Sequence, residues 1–318
     1  MKDQDTSQGA PGIYTSMNDL LRLRQQPLPA RPRRQPPSSA PWSGPRTSRF
    51  RGRGMDFAEV RAYQPGDDVR HIDWRVTARK QKVHTKVFHE ERERPTLLVV
   101  DQSQSLFFGS RRCLKSVAAA ETAALLAWQA MARHDRVGGL VIGNTELSLL
   151  PPARHSRAVV RLLEVICKAN RALQRESSSD NGPALSDAMH QLRKLRPVGG
   201  QIFIISDFLS LAPLPAGGPE MDALSVLAGL TRHNDVCCIG VSDPLEAELP
   251  PPGDYQIRQA SRRLTLNTAD QALRSRHRAQ FEARQSQLAE RCAALGVHWL
   301  PLWTALDPGE QLAAALRM

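Results

Sequence analysis

The stretch Asp101-Gln102-Ser103-Gln104-Ser105 places one carboxylate and two hydroxyls at alternate positions directly after the apolar run Leu97-Leu98-Val99-Val100. Oxygen donors of that type and number suit a hard cation of the magnesium kind, which keeps several of its waters. A short apolar run without polar alternation predicts a strand buried on both faces. In open α/β sheets, ligands bind outside the carboxyl ends of such strands. A second apolar run, Ile202-Phe203-Ile204-Ile205, also leads into a carboxylate, at Ser206-Asp207-Phe208. The competing reading is structural: Asp101 and the serines cap the following helix and satisfy loop amides, as small polar residues do well.

Other chemistries find less support. No G-x-x-x-x-G-K-[ST] phosphate loop occurs, and Gly52-x-Gly54 lies outside any strand-to-helix context. His71, Asp73, His84 and His89 match no zinc-ligand spacing. The five cysteines, Cys113, Cys167, Cys237, Cys238 and Cys292, are odd in number and scattered. That pattern fits reduced, structural thiols rather than a disulfide framework. A catalytic role is therefore not expected.

The elements that must position these residues alternate along the chain. Val83 to Glu90 reads as a strand leading towards the one at Leu97, and Arg112 to Arg133 as a long helix. Arg136 to Ile142 is a buried strand, with Thr145 to Leu150 as its hairpin mate across Gly143-Asn144. Helices over His155–Arg171, Ala184–Leu195 and Met221–His233 follow, the last leading to a strand at Asp235–Val241. Tyr255 to Leu266 reads as strand-like, Thr268 to Leu295 as a helix, Val297 to Leu302 as the last strand and Asp307 to Leu316 as the closing helix. Strands alternating with helices predict an α/β fold, a doubly wound and mostly parallel sheet of the Rossmann-like kind.

Charge is distributed unevenly. The 318 residues carry a formal net charge of +11, and residues 1–54 hold most of it, with ten Lys/Arg against three Asp/Glu. Residues 1–45 are also punctuated by Pro27, Pro29, Pro32, Pro36, Pro37, Pro41 and Pro45. This composition predicts a disordered Pro/Arg-rich arm, with at most a short helix over Asp19–Arg24, whose removal leaves the fold intact. Its arginines (Arg22, Arg24, Arg31, Arg33, Arg34, Arg46, Arg49, Arg51 and Arg53) make nucleic-acid binding the alternative function. Only Tyr14, Trp42 and Phe50 are present there to stack on bases, which weakens that reading. The start lacks an apolar signal segment and no run of about 18 apolar residues occurs, so a cytoplasmic protein without a membrane span is expected. A peripheral acidic surface stays open as a contact for the arm.

Residues 54–94 have a different texture, mixing both signs of charge with Phe57, Tyr63, Trp74 and Phe88. Gly54-x-Asp56-Phe57-x-Glu59-Val60-Arg61-x-Tyr63-x-Pro65-Gly66-Asp67-Asp68-Val69-Arg70-x-Ile72-Asp73-Trp74, then Ala78-Arg79 and Glu90-Glu91-Arg92-Glu93-Arg94, resembles the DUF58 family. Asp243-Pro244-Leu245-Glu246 matches a turn of the same family. The order strand, D-x-S-x-S, helix and later strand ending in Asp resembles the von Willebrand factor A fold with its metal-ion-dependent adhesion site.

The resemblance implies three parts: the arm at 1–45, a family-specific segment at 46–94 and a von Willebrand A-like domain at 95–318. It implies Asp101, Ser103, Ser105 and Asp207 as ligands of Mg2+. It also puts that ion in doubt, because Pro183 stands where a threonine ligand is expected; Ser177, Ser178, Ser179 or Asp180 would have to substitute. The function implied is a non-catalytic scaffold acting with a MoxR-type AAA+ ATPase, and with a client or a second von Willebrand A protein. In the charged segment Asp67, Asp68, Arg70, Asp73, Trp74 and Arg79 are the candidate partner contacts.

Overall fold

The computed structural model describes residues 12–26, 28, 55–64, 67, 69–90, 94–174, 183–195, 197–211, 226–259 and 262–317. These fall into two compact units, one formed by residues 1–30 with 94–318 and the other by 31–93.

The larger unit is built on a six-stranded sheet. β3 (Pro95–Asp101) pairs in parallel with β4 (Arg136–Ile142) on one side and with β6 (Gln201–Ser206) on the other. β7 (Asp235–Ser242) and β10 (His298–Trp303) extend the sheet in parallel beyond β6. β5 (Leu147–Ala153) closes the opposite edge, antiparallel to β4, as the Gly143-Asn144 turn predicts. The spatial order β5-β4-β3-β6-β7-β10 reverses direction between β3 and β6. That is a doubly wound order of the von Willebrand A/Rossmann-like type, and the reversal sits where Asp101 and Asp207 end their strands.

Both faces of β3 are covered, which explains its unalternating sequence. Leu98 and Val100 join one core with α3 (Lys115–Ala132), α4 (Ser156–Arg171) and α9 (Pro308–Arg317). Leu97 and Val99 join the other, with α5 (Leu185–Leu195), the helix α6 (residues 226–231) and the end of α8 (Gln271–Ala294). Helix α3 is buried almost all round, and its alanines let sheet and helices approach closely. The segment Tyr255–Leu266, expected as one strand-like stretch, forms a hairpin of β8 (Asp254–Gln259) and β9 (Arg262–Asn267).

The expectation of a disordered arm over 1–45 needs correction for residues 12–26. Ser16 caps α1 (Met17–Arg22) in a reciprocal capping box with Asp19. Leu20 is fully buried in the core beside Trp128, whose Nε1–H donates to the Leu20 carbonyl at 3.0 Å. Tyr14 donates to the Leu173 carbonyl at 2.9 Å, and the Arg24 guanidinium lies 5.4 Å from the Trp128 ring centroid. Residues 12–26 are therefore a strap over α3 and α4. Of the arginines considered for nucleic acid, Arg31, Arg33, Arg34, Arg46, Arg49, Arg51 and Arg53 lie outside the described residues.

In the smaller unit β1 (Met55–Ala62) pairs antiparallel with β2 (His84–Glu90), and α2 (Trp74–Lys80) lies between them in sequence. Among the described residues no helix is long and apolar enough to cross a membrane.

Candidate functional site

Asp101, the last residue of β3, is 4% exposed and has both oxygens engaged. Oδ1 accepts the Ser103 N–H at 2.9 Å, and Oδ2 accepts the Ser206 hydroxyl at 2.6 Å. The Ser103 and Ser105 hydroxyls lie 3.2 Å apart, within hydrogen-bond distance of each other. Past β6 the backbone bends sharply at Phe208, a buried non-glycine residue at φ 53° whose N–H returns to Ser206 Oγ at 3.1 Å. The Phe208 ring meets Trp299 at 5.3 Å, and Trp299 lies over Gly240, where a Cβ would come within 2.5 Å of the indole.

The four residues named from sequence, Asp101, Ser103, Ser105 and Asp207, thus occupy adjacent strand ends at the reversal point. What the sequence reading missed is the cation beside them. Lys115, in the first turn of α3, is 1% exposed. Its Nζ donates to Asp207 Oδ2 at 2.8 Å and to Glu246 Oε1 at 2.8 Å. Burial disfavours its charge, but Asp207 and Glu246 outweigh that and hold its pKa above the ordinary lysine value. Burial, with the nearby Asp207 charge, instead pushes Asp101 up to about 6 against the opposing hydrogen bonds from Ser206 and Ser103.

Glu246 is delivered by the turn Asp243-Pro244-Leu245-Glu246, which is the short helix α7 (Pro244–Ala247) with its own capping box. Asp243 is fully buried and joins three loops. It accepts the Ser110 N–H at 2.8 Å, the Ser110 hydroxyl at 2.5 Å, the Thr304 hydroxyl at 2.6 Å and the Leu245 N–H at 3.0 Å. The loops after β3, β7 and β10 are thereby held together at the top of the sheet. Next to Asp101, Gln102 donates to the Ser116 carbonyl at 2.8 Å and accepts from Asn170 at 3.0 Å. Asn170 in turn accepts the Thr15 N–H at 2.9 Å, which ties the N-terminal strap to the same loop.

Among the described residues, the donors in this arrangement do not fit a divalent cation. Asp207 offers Oδ2 to the Lys115 ammonium and Oδ1 to the Leu209 N–H at 3.0 Å. Asp101 has both oxygens in hydrogen bonds, and Pro183 has no hydroxyl. Ser177, Ser178, Ser179 and Asp180 lie outside the described residues. The five cysteines are free and buried, and burial pushes Cys113 up to about 12 and Cys167 to about 11, so neither is a thiolate at neutral pH.

The charged unit places its candidate contacts differently from one another. Asp67 pairs with Arg61 at 2.7 Å and accepts the Gln64 N–H at 2.9 Å, bonds that hold its pKa below the ordinary carboxylate value. Asp73 caps α2 through the Arg75 and Val76 N–H groups, both at 3.1 Å. These two carboxylates make local turn and helix-cap contacts within the unit. Trp74 is 70% exposed, Arg70 and Arg79 are also exposed, and Asp68 lies outside the described residues.

Comparison with known proteins agrees with the motif-bearing segments. The profile of the family described as "Protein of unknown function DUF58" matches residues 59–287. The chain belongs to the DUF58 family. Uncharacterized proteins Mb1516 of Mycobacterium bovis and Rv1480 of Mycobacterium tuberculosis are each 30% identical over 260 residues, covering 80% of this chain and 77% of theirs. Among solved structures, BatB from Bacteroides thetaiotaomicron aligns with a TM-score of 0.45 and 16% identity, over 70% of this chain and 96% of that one. The SpRpn10 VWA domain aligns at 0.39 and 10% identity, over 70% and 94%. For this DUF58 chain the strand order itself carries the von Willebrand A-like assignment.

Proposed function

We propose that this DUF58 protein is a non-catalytic interaction module whose sheet-top loops, with the charged unit, dock a MoxR-type AAA+ ATPase during maturation or remodelling of other protein complexes. The observation that carries the reading is what the sheet top presents outward. Its central carboxylates are tied to Lys115 and to neighbouring hydroxyls and amides, while Phe108 at 41% and Leu306 at 54% exposure stand on the loops that Asp243 clamps. Exposed large apolar side chains on a rigidly held loop cluster suit a protein partner better than a small polar substrate.

The ATPase is the partner expected from the DUF58 family resemblance, and co-expression tests it. The full-length chain, tagged, should retain a MoxR-type ATPase through affinity purification. Trp74→Ala should cut the retained ATPase several-fold without lowering the melting temperature, because the side chain is mostly in solvent. Equal capture by wild type and variant would remove the charged unit from the interface. Failure of the wild type to retain any ATPase would defeat the choice of partner.

A further inference from the structure

We propose that the Lys115 ammonium is the resident cation of the sheet-top carboxylates, standing in place of a divalent metal, so that this face is assembled without metal. The inference goes beyond the interaction reading above, which holds with either kind of cation.

Three features support it. First, Lys115 is in the wrong place for an ordinary lysine. It stands in the first turn of the 18-residue helix α3, where the helix dipole disfavours a positive charge, and it is 1% exposed. A buried ammonium there needs specific anionic partners, and Asp207 and Glu246 supply them at 2.8 Å each.

Second, the enclosure is built from separate parts of the fold. Asp207 comes from the end of β6 and Glu246 from α7, while the Phe108 ring, in the loop before α3, has its centroid 5.9 Å from Nζ. Glu246 is itself fixed by accepting the Asp243 N–H at 2.9 Å. The pocket for the ammonium is thus pre-formed rather than improvised by a flexible surface chain.

Third, the ammonium and a divalent ion compete for the same donors. Magnesium demands near-octahedral oxygen ligands at about 2.0–2.1 Å. Asp207 has committed one oxygen to Lys115 and the other to a backbone amide, and a dication drawn to it would be repelled by the ammonium. Pro183 supplies no replacement donor.

The test uses the full-length wild-type chain first. Titration with MgCl2 and MnCl2 in a calorimeter should give no saturable heat, and melting temperatures in excess Mg2+ and in EDTA should agree within about 1 °C. Saturable binding of either ion, with a rise of about 5 °C or more at saturation, would overturn the proposal. Lys115→Met, which leaves the carboxylates without their cation, should melt roughly 5–10 °C lower, and Mg2+ should recover part of that loss. Lys115→Arg keeps the charge and should retain most of the stability without gaining a response to Mg2+. A Lys115→Met protein as stable as wild type would also contradict the assignment.

Discussion

Asp243→Ala should destabilise the larger unit by about 3–5 kcal/mol, lowering its melting temperature by roughly 10 °C. The fully buried carboxylate accepts four hydrogen bonds, and truncation would strand the donors of Ser110, Thr304 and Leu245 together. It would also loosen α7 and with it the Glu246 partner of Lys115. Asp243→Asn should cost less, since the amide retains an acceptor oxygen. The pH dependence separates charge from shape. Burial raises the Asp243 pKa, but hydrogen bonds from Ser110, Thr304 and Leu245 outweigh it and hold the group below its ordinary value of 3.8. A carboxylate depressed in the folded state stabilises at pH above its unfolded value, and that contribution disappears as pH falls through the folded value. Urea midpoints from pH 7 to pH 3 should therefore show the gap between wild type and Asp243→Asn shrinking below about pH 4. A gap independent of pH would mean that the charge of Asp243 contributes nothing.

Deletion of residues 1–28 should be at least as damaging, with a loss of about 5 kcal/mol or more. Composition alone predicts a dispensable tail, but the strap buries Leu20 completely and closes over Trp128. Its removal would expose the apolar surfaces of α3 and α4 to water and take away the Leu20 carbonyl from the Trp128 N–H and the Thr15 N–H from Asn170 Oδ1. The damage should extend towards Asp101, because Asn170 holds Gln102. Leu20→Ala alone should cost about 2–5 kcal/mol, as large-to-small changes in full cores do. Thermal unfolding checks both. A deletion that melts with wild type would show that the strap contributes no net stability.

The fold was legible where local pattern and tertiary role coincide. The runs at Leu97–Val100 and Ile202–Ile205 read as doubly covered strands, and they are β3 and β6. The strand-end rule marks the Asp101 loop, and the resemblance to the von Willebrand A adhesion site is what adds Asp207 to it. Tyr255–Leu266 misled because a hairpin with little turn chemistry keeps the alternation of one long strand. The strap was hidden by its Pro/Arg-rich continuation, although Ser16-x-x-Asp19 ahead of Leu20 is a capping signal. Lys115 was the deeper omission. A lysine opening a helix reads as a solvated charge, and only contacts with Asp207 and Glu246, far along the chain, give it a role. The same holds for Asp243-Pro244-Leu245-Glu246, recognisable as a family turn, whose bonds to Ser110 and Thr304 depend on the assembled sheet.

The central functional claim is that the outward apolar loops at the sheet top carry the protein contact. The most direct measurement is the affinity of the full-length chain for the MoxR-type ATPase, with EDTA present, for wild type and for a Phe108→Ser, Leu306→Ser double variant. Both side chains are substantially exposed, so the variant should stay folded and melt only slightly below wild type, the difference coming from the Phe108 ring beside Lys115. The expected result is tight binding by wild type in EDTA and a loss of at least about tenfold in the variant, as removal of apolar anchors produces. Equal affinity of the two proteins would contradict the claim.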